Sequence, residues 1–267
     1  MFKKINDLYE DFETFEVSKL KIPFQNNWER IGINLSGGAD SACMTMLLCD
    51  HIIKNKLDTK IYIITFLRCW DTRPWQKPVA ENVYKYLKKL YPSIIQDQVF
   101  CFIAPEIEHG AIGEIFEGKS GDQLTVSGFN RYCAYNYNLE AVFNATSRNP
   151  SDTNFSDRMR NRDIDADDPV LSDLYYTKKE CAILKPFAYT EKDWIIAQYK
   201  IFNKWDLFKI TRSCEGDLVT SQEIRKTVKK LNDYYPNKEV AECGQCFWCN
   251  ERNWALDRLE QTIESLK

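Results

Sequence analysis

Two groups of residues in this chain have types and spacing that can do chemistry. Near the C-terminus, Cys243-Gly-Gln-Cys246-Phe-Trp-Cys249 carries three thiols at Cys-x-x-Cys-x-x-Cys spacing, so a compact knuckle can aim three sulfurs at one ion. Tetrahedral Zn²⁺ needs a fourth ligand. Cys214, placed after an apolar helix and before a polar insert, is the choice over His51 and His109, which lie far upstream. An iron–sulfur cluster uses the same spacing, and spacing alone does not separate the two. Near the N-terminus, Ser36-Gly-Gly-Ala-Asp-Ser41 joins one apolar run to another. A strand entering a helix through such a turn leaves N–H groups unpaired and aimed at one spot, where the helix dipole adds positive potential. Gly37 and Gly38 permit close backbone approach, and the Ser36 and Ser41 hydroxyls can donate to phosphate oxygens. Asp40 would repel a phosphate, so it fits as a Mg²⁺ ligand or as a helix cap. A purely structural turn with a capping Asp is the plain alternative. A Walker loop is excluded, because no Gly-x-x-x-x-Gly-Lys-Ser/Thr is present.

The elements that must hold these groups follow from hydrophobic periodicity. The pattern predicts a strand at 30–35, a helix from Ser41 to about Lys54 and a second strand at Ile61–Leu67, which together make a β-α-β unit. Further strands are expected at 98–104, 140–145 and 181–187, with helices near 78–90 and 125–137 between them. Alternation of this kind implies an α/β fold with a Rossmann-like parallel sheet covered on both faces. Ligands bind such sheets beyond the carboxyl ends of the strands, where the Ser36 turn lies. Residues 1–28 read as a helical extension, 29–187 as the α/β domain and 188–267 as a helical C-terminal region carrying the cysteines. Thr190 and Asp193 have the spacing of a capping box. Residues 146–168, rich in Ser, Asn, Asp and Arg, read as a long loop.

A chain of 267 residues with 44% hydrophobic residues can fill a substantial core, while a net charge of −3 gives no electrostatic reason to expect a nucleic-acid partner. Charges interrupt the N-terminal residues where a secretory signal would need an apolar core, and no segment reads as a membrane span, so a cytoplasmic protein is expected. The other cysteines, at 43, 49, 69, 101, 133 and 181, fall mostly in apolar elements and read as small core residues.

The Ser-Gly-Gly-x-Asp-Ser turn after a first strand resembles the pyrophosphate loop of the ATP pyrophosphatases, an adenine nucleotide alpha hydrolase-like fold. These enzymes cleave ATP between the α- and β-phosphates and adenylate a substrate oxygen. Adding Cys214 and the Cys243-Gly-x-Cys-x-x-Cys-x-x-Arg252 segment, together with Lys185-Pro-Phe-Ala-Tyr-Thr-Glu-Lys-Asp-Trp194 and Asn203-Lys-Trp-Asp-Leu-Phe208, the chain resembles the 7-cyano-7-deazaguanine synthases. The resemblance implies a structural Zn²⁺ on Cys214, Cys243, Cys246 and Cys249. It implies ATP with Mg²⁺ at Leu35, Ser36, Gly37, Gly38, Ala39, Asp40 and Ser41 and at the end of the second strand, Phe66 and Leu67, with Ser36, Asp40 and Ser41 in the reaction. The substrate would be a small molecule, a 7-deazaguanine carboxylate, converted with ammonia to an amide or nitrile. Arg68, Trp70, Arg73 and Arg131 are the candidate substrate residues, and a homodimer is compatible with the sequence. Departures from the family fall on that side: Leu67-Arg-Cys-Trp-Asp-Thr-Arg-Pro74 replaces an Asp-Tyr-Gly-Gln-like stretch, Gly128-Phe-Asn-Arg131 only loosely matches a Gly-Arg-Asn turn, and 28 residues separate Cys214 from Cys243. Another adenylated acceptor, such as a modified base, tRNA or a protein, is the alternative. A zinc-stabilised binding protein with a vestigial loop is the other.

Overall fold

The structure is a computed structural model that describes residues 12–67, 75–102, 121–152, 171–176, 180–214 and 242–267, the side chains of 121–124 and 171–176 excepted. Arg68, Cys69, Trp70, Arg73, His109 and most of the 146–168 loop lie outside the described residues. The central layer is a six-stranded sheet built from β3 (Arg30–Asn34), β4 (Lys60–Leu67), β5 (Ile95–Phe102), β6 (Ala141–Phe143), β7 (Leu171–Tyr176) and β8 (Glu180–Leu184). Its order is β5-β4-β3-β6-β8-β7. The five strands from β5 to β8 run parallel, and β7 pairs antiparallel at the edge. Strand order therefore reverses between β3 and β6, which makes the carboxyl end of β3 the switch point of the sheet.

Ile31, Ile33 and Leu35 are fully buried against one face. There α1 (Ala39–Lys54) packs with Met44, Leu47 and Leu48, joined by α4 (Lys192–Ile201) through Ile195, Ile196 and Tyr199. α2 (Gln76–Leu90) presents Val83 and Leu87 to the same core. The opposite face is covered by α3 (Gly121–Tyr137), where Cys133 and Ala134 meet Ile64 and Val142. The C-terminal helices α5 (Trp205–Ile210), α6 (Phe247–Asp257) and α7 (Leu259–Leu266) share the first core through Leu207, Phe208, Ala255 and Leu259. No helix among the described residues is long and apolar enough to cross a membrane.

Three sequence expectations change. The described part of the N-terminal segment is a hairpin, β1 (Thr14–Val17) and β2 (Leu20–Pro23), rather than a helix. Ser18 and Lys19 supply the two positive-φ turn positions, and Phe15 and Ile22 pair directly across it. The edge strand β7 has no counterpart in the predicted pattern. The capping box also does not form: Glu191 caps α4 without a side-chain bond, while the Asp193 carboxylate accepts from Trp194 N–H and from the Thr262 hydroxyl on α7. A tertiary partner outcompetes the local one.

Candidate functional site

The turn after β3 is internally bonded before any ligand is considered. Ser41 Oγ accepts the Ser36 N–H at 3.1 Å and lies 3.1 Å from Ser36 Oγ, which in turn accepts the Gly38 N–H at 3.2 Å. Gly37 has φ +85°, and a Cβ there would lie 2.9 Å from the Ala80 backbone nitrogen of α2. Glycine is required on both counts. Gly37→Ala is therefore expected to cost about 1–3 kcal/mol of stability and to distort the turn. Chemical denaturation checks the first effect and nucleotide titration the second. Gly38 is the N-cap of α1 and makes no side-chain cap bond, so the first-turn N–H groups have no intrahelical acceptor and face the carboxyl edge of the sheet.

Asp40 is not the cap. Its Oδ1 accepts from Lys192 Nζ at 2.5 Å, and its Oδ2 accepts from the Ser147 hydroxyl at 3.3 Å. Lys192 is 1% exposed and also lies 3.5 Å from Glu251 Oε2, whose side chain is fully buried on α6. A carboxylate–ammonium–carboxylate row thus runs from the turn to the helix that follows the cysteines. Tyr199 braces the same place, donating its hydroxyl to the Ala39 carbonyl at 2.5 Å. Neither Lys192 nor Glu251 stood out in the sequence, because a lysine at the start of a helix ordinarily reads as solvated. The available signal was its position: two residues after Thr190 and directly before the apolar run of α4.

The structure brings the four C-terminal thiols together. Sulfurs of Cys214, Cys243, Cys246 and Cys249 all lie within 4.8 Å of one another, and no second cluster of this kind occurs among the described residues. Cys214 and Cys243 sulfurs are 3.5 Å apart, those of Cys243 and Cys249 3.9 Å. Backbone N–H groups of Cys243 and Cys246 point at the Cys214 and Cys243 sulfurs. Burial alone would raise the Cys243 thiol, but the N–H groups of Gln245 and Cys246 and the Cys214 thiol outweigh it, bringing it down to about 7. Its cluster neighbour Cys249 goes the other way, pushed up by burial and by the Cys246 thiol, and burial pushes Cys133 and Cys181, outside the cluster, up to about 12. His51 is stacked on Phe15 at 3.9 Å and is no ligand to the cysteines.

The two groups touch. The Arg212 N–H donates to the Gly37 carbonyl at 3.0 Å, and Ser213 Oγ sits beside Gly38. Trp75 packs with Cys214 and Cys249 and lies under the Arg212 guanidinium at 4.0 Å. Arg252, at the end of the cysteine motif, donates to the Thr211 carbonyl and hydroxyl and to the Phe208 carbonyl, over whose ring it lies. Leu35, Ala39, Phe66 and Leu67 have buried side chains. Arg131 is exposed on α3, whereas its neighbour Asn130 is buried.

Neither a family model nor a curated protein sequence matches the chain. Among solved structures it is similar to the U34-tRNA thiolase NcsA from Methanococcus maripaludis with its 4Fe-4S cluster. Identity is 12%, with 90% of this chain and 74% of that chain covered, and the TM-score is 0.42. At that level of likeness nothing is transferred from that protein, and the site rests on its own geometry.

Proposed function

We propose that this chain is an ATP pyrophosphatase-type enzyme that adenylates an acceptor oxygen at the Ser36–Ser41 turn and releases pyrophosphate. The observation that carries the reading is the position of this glycine-bearing, N–H-lined turn at the switch point of the sheet, with the Lys192 ammonium buried beneath Asp40. The N–H groups and α1 dipole suit a polyphosphate, and Lys192 offsets the negative charge that Asp40 brings to the turn. Asp40 is the residue to hold Mg²⁺, which when bound supplies charge neutralisation for departing pyrophosphate.

The finer reading follows the sequence resemblance: the acceptor is 7-carboxy-7-deazaguanine. Its carboxylate oxygen attacks the α-phosphorus as the bond to the β-phosphate breaks. Ammonia then displaces AMP to give the amide, and a second adenylation of the amide oxygen allows loss of AMP to give the nitrile. Carboxylate oxygen leaves poorly and AMP leaves well, so each oxygen removed consumes one ATP. Incubation with ATP, Mg²⁺, ammonium and this acid is expected to give two AMP and two pyrophosphate per nitrile. Steady ADP formation would remove the chain from the adenylating class. AMP release without consumption of this acid would retain the class and reject the acceptor.

For the cysteines we propose one Zn²⁺. A tetrahedral ion with metal–sulfur bonds of ~2.3 Å spaces its sulfurs by about 3.8 Å; two of the spacings, 3.5 and 3.9 Å, lie near that edge, and all four sulfurs lie within 4.8 Å of one another. A four-iron cluster places each thiolate on a separate iron and so spreads the sulfurs farther. Elemental analysis is expected to give about one zinc per chain; iron with labile sulfide would contradict this.

A further inference from the structure

The carboxyl edge of the sheet has a second polar wall that the turn does not use. A Cβ on Gly32 would meet Leu139, Ile64 and Val142, so Gly32 faces the α3 side, and strand alternation puts Asn34 on that side two residues on, immediately before the turn. α3 runs antiparallel to the strands: Tyr137 stacks on Tyr62 at 5.0 Å, and Phe129 meets Phe66 edge-on at 5.8 Å. Its sheet-facing stripe is Val126, Asn130, Cys133, Ala134 and Tyr137, which places Asn130 near the level of Phe66, at the mouth of the sheet. Asn130 is 3% exposed. The Oδ1 atoms of Asn34 and Asn130 are both buried and have no hydrogen-bond partner among the described residues, in contrast to Asn144, whose Oδ1 accepts the N–H and hydroxyl of Thr146.

A buried amide oxygen without a donor carries a desolvation penalty that an apolar residue of similar volume avoids, and asparagine is disfavoured in strands. Two such amides lie on this side of the sheet, Asn34 on the strand in register with Ile64 and Asn130 on the helix next to Phe129, which packs on Phe66. We infer that Asn34 and Asn130 form the acceptor-recognition subsite, taking a flat, uncharged lactam or aminated ring between sheet and helix. An asparagine amide offers an acceptor and donors side by side, which matches the C=O and N–H edge of such a ring. Asn34 lies two residues before Ser36, so a ring held against it presents its substituent to the turn. The inference rests on the proposed reading of that turn as the ATP site.

Asn34→Val and Asn130→Leu separate the possibilities. Neither amide oxygen accepts a hydrogen bond from the described residues, so each substitution is expected to raise the thermal midpoint by about 2–4 °C. Calorimetry with the ATP-loaded chain, using guanine and 7-carboxy-7-deazaguanine as probes and 2-naphthoate as a planar control lacking N–H donors, should show a ring bound only when it carries the lactam edge. Each substitution should weaken that binding about tenfold while leaving ATP affinity, titrated separately, unchanged. Lower midpoints, unchanged probe affinity in the variants, equal binding of 2-naphthoate, or binding of neither lactam by the unmodified chain would each overturn the subsite. Failure of the unmodified chain to bind ATP would strike the ATP reading instead, and lactam binding measured without nucleotide would then decide the subsite by itself.

Discussion

Removing the metal from the cysteine knuckle, by chelation or by Cys249→Ser, is expected to weaken nucleotide binding at the Ser36–Ser41 turn by at least about tenfold. On sequence alone, loss of a cysteine ligand should unfold the C-terminal part before it alters the turn, because a structural zinc contributes directly to folding there, some 170 residues from Ser41. The fold removes that separation. The arm carrying Cys214 also carries the Arg212 N–H that holds the Gly37 carbonyl, and Trp75 lies against both Arg212 and the thiols. Cys249 lies two residues before Glu251, whose carboxylate faces Lys192 beneath Asp40. Releasing the knuckle therefore frees the turn from two directions. The main core, built on Ile31, Ile33, Met44 and Ile195, does not include the cysteines. Far-ultraviolet circular dichroism should consequently report a largely retained sheet while ATP affinity falls. Metal-free protein that binds ATP as tightly as the loaded form would show that knuckle and turn are independent.

The parts legible in the sequence are those whose pattern is local. Alternation through Ile31 and Ile33, the small residues at 36–41 and the apolar face of α1 place the turn at a strand-to-helix junction without any tertiary information. The Cys-x-x-Cys-x-x-Cys spacing likewise declares a knuckle, and Cys214 joins it as expected. What was hidden depends on partners distant in the chain. Lys192 meets Asp40 across 152 residues, and Asp193 abandons its local capping geometry for Thr262, 69 residues on. The hairpin at 14–23 was hidden for another reason: its strands are four residues each, too short for alternation to be distinguished from a helical stripe. Asp40 illustrates the division within one residue. Its place in the turn could be read directly, whereas the choice between capping and another role was decided by Lys192 and Ser147.

Lys192→Met is expected to destabilise the chain by about 3–5 kcal/mol and to abolish turnover. Removing the ammonium leaves the fully buried Glu251 and the largely buried Asp40 without the cation between them, and breaking a buried pair from one side costs far more than the pair itself contributes. The double variant Lys192→Met with Glu251→Gln removes one of the two carboxylates that Lys192 faced. It should recover about half of the lost stability. Activity should not return with it, because the charge beneath the turn is still missing. This split separates a structural ion row from a functional one. If the double variant recovered both stability and pyrophosphate release, Lys192 would be no more than the counter-ion that allows two acidic side chains to be buried. Retained stability in the single variant would contradict the buried row itself. Equilibrium urea unfolding and a pyrophosphate-release assay on the same three proteins distinguish these outcomes, and Lys192→Arg adds a further constraint. Arginine keeps the charge but needs more volume than a fully enclosed position allows, so it should restore neither property in full.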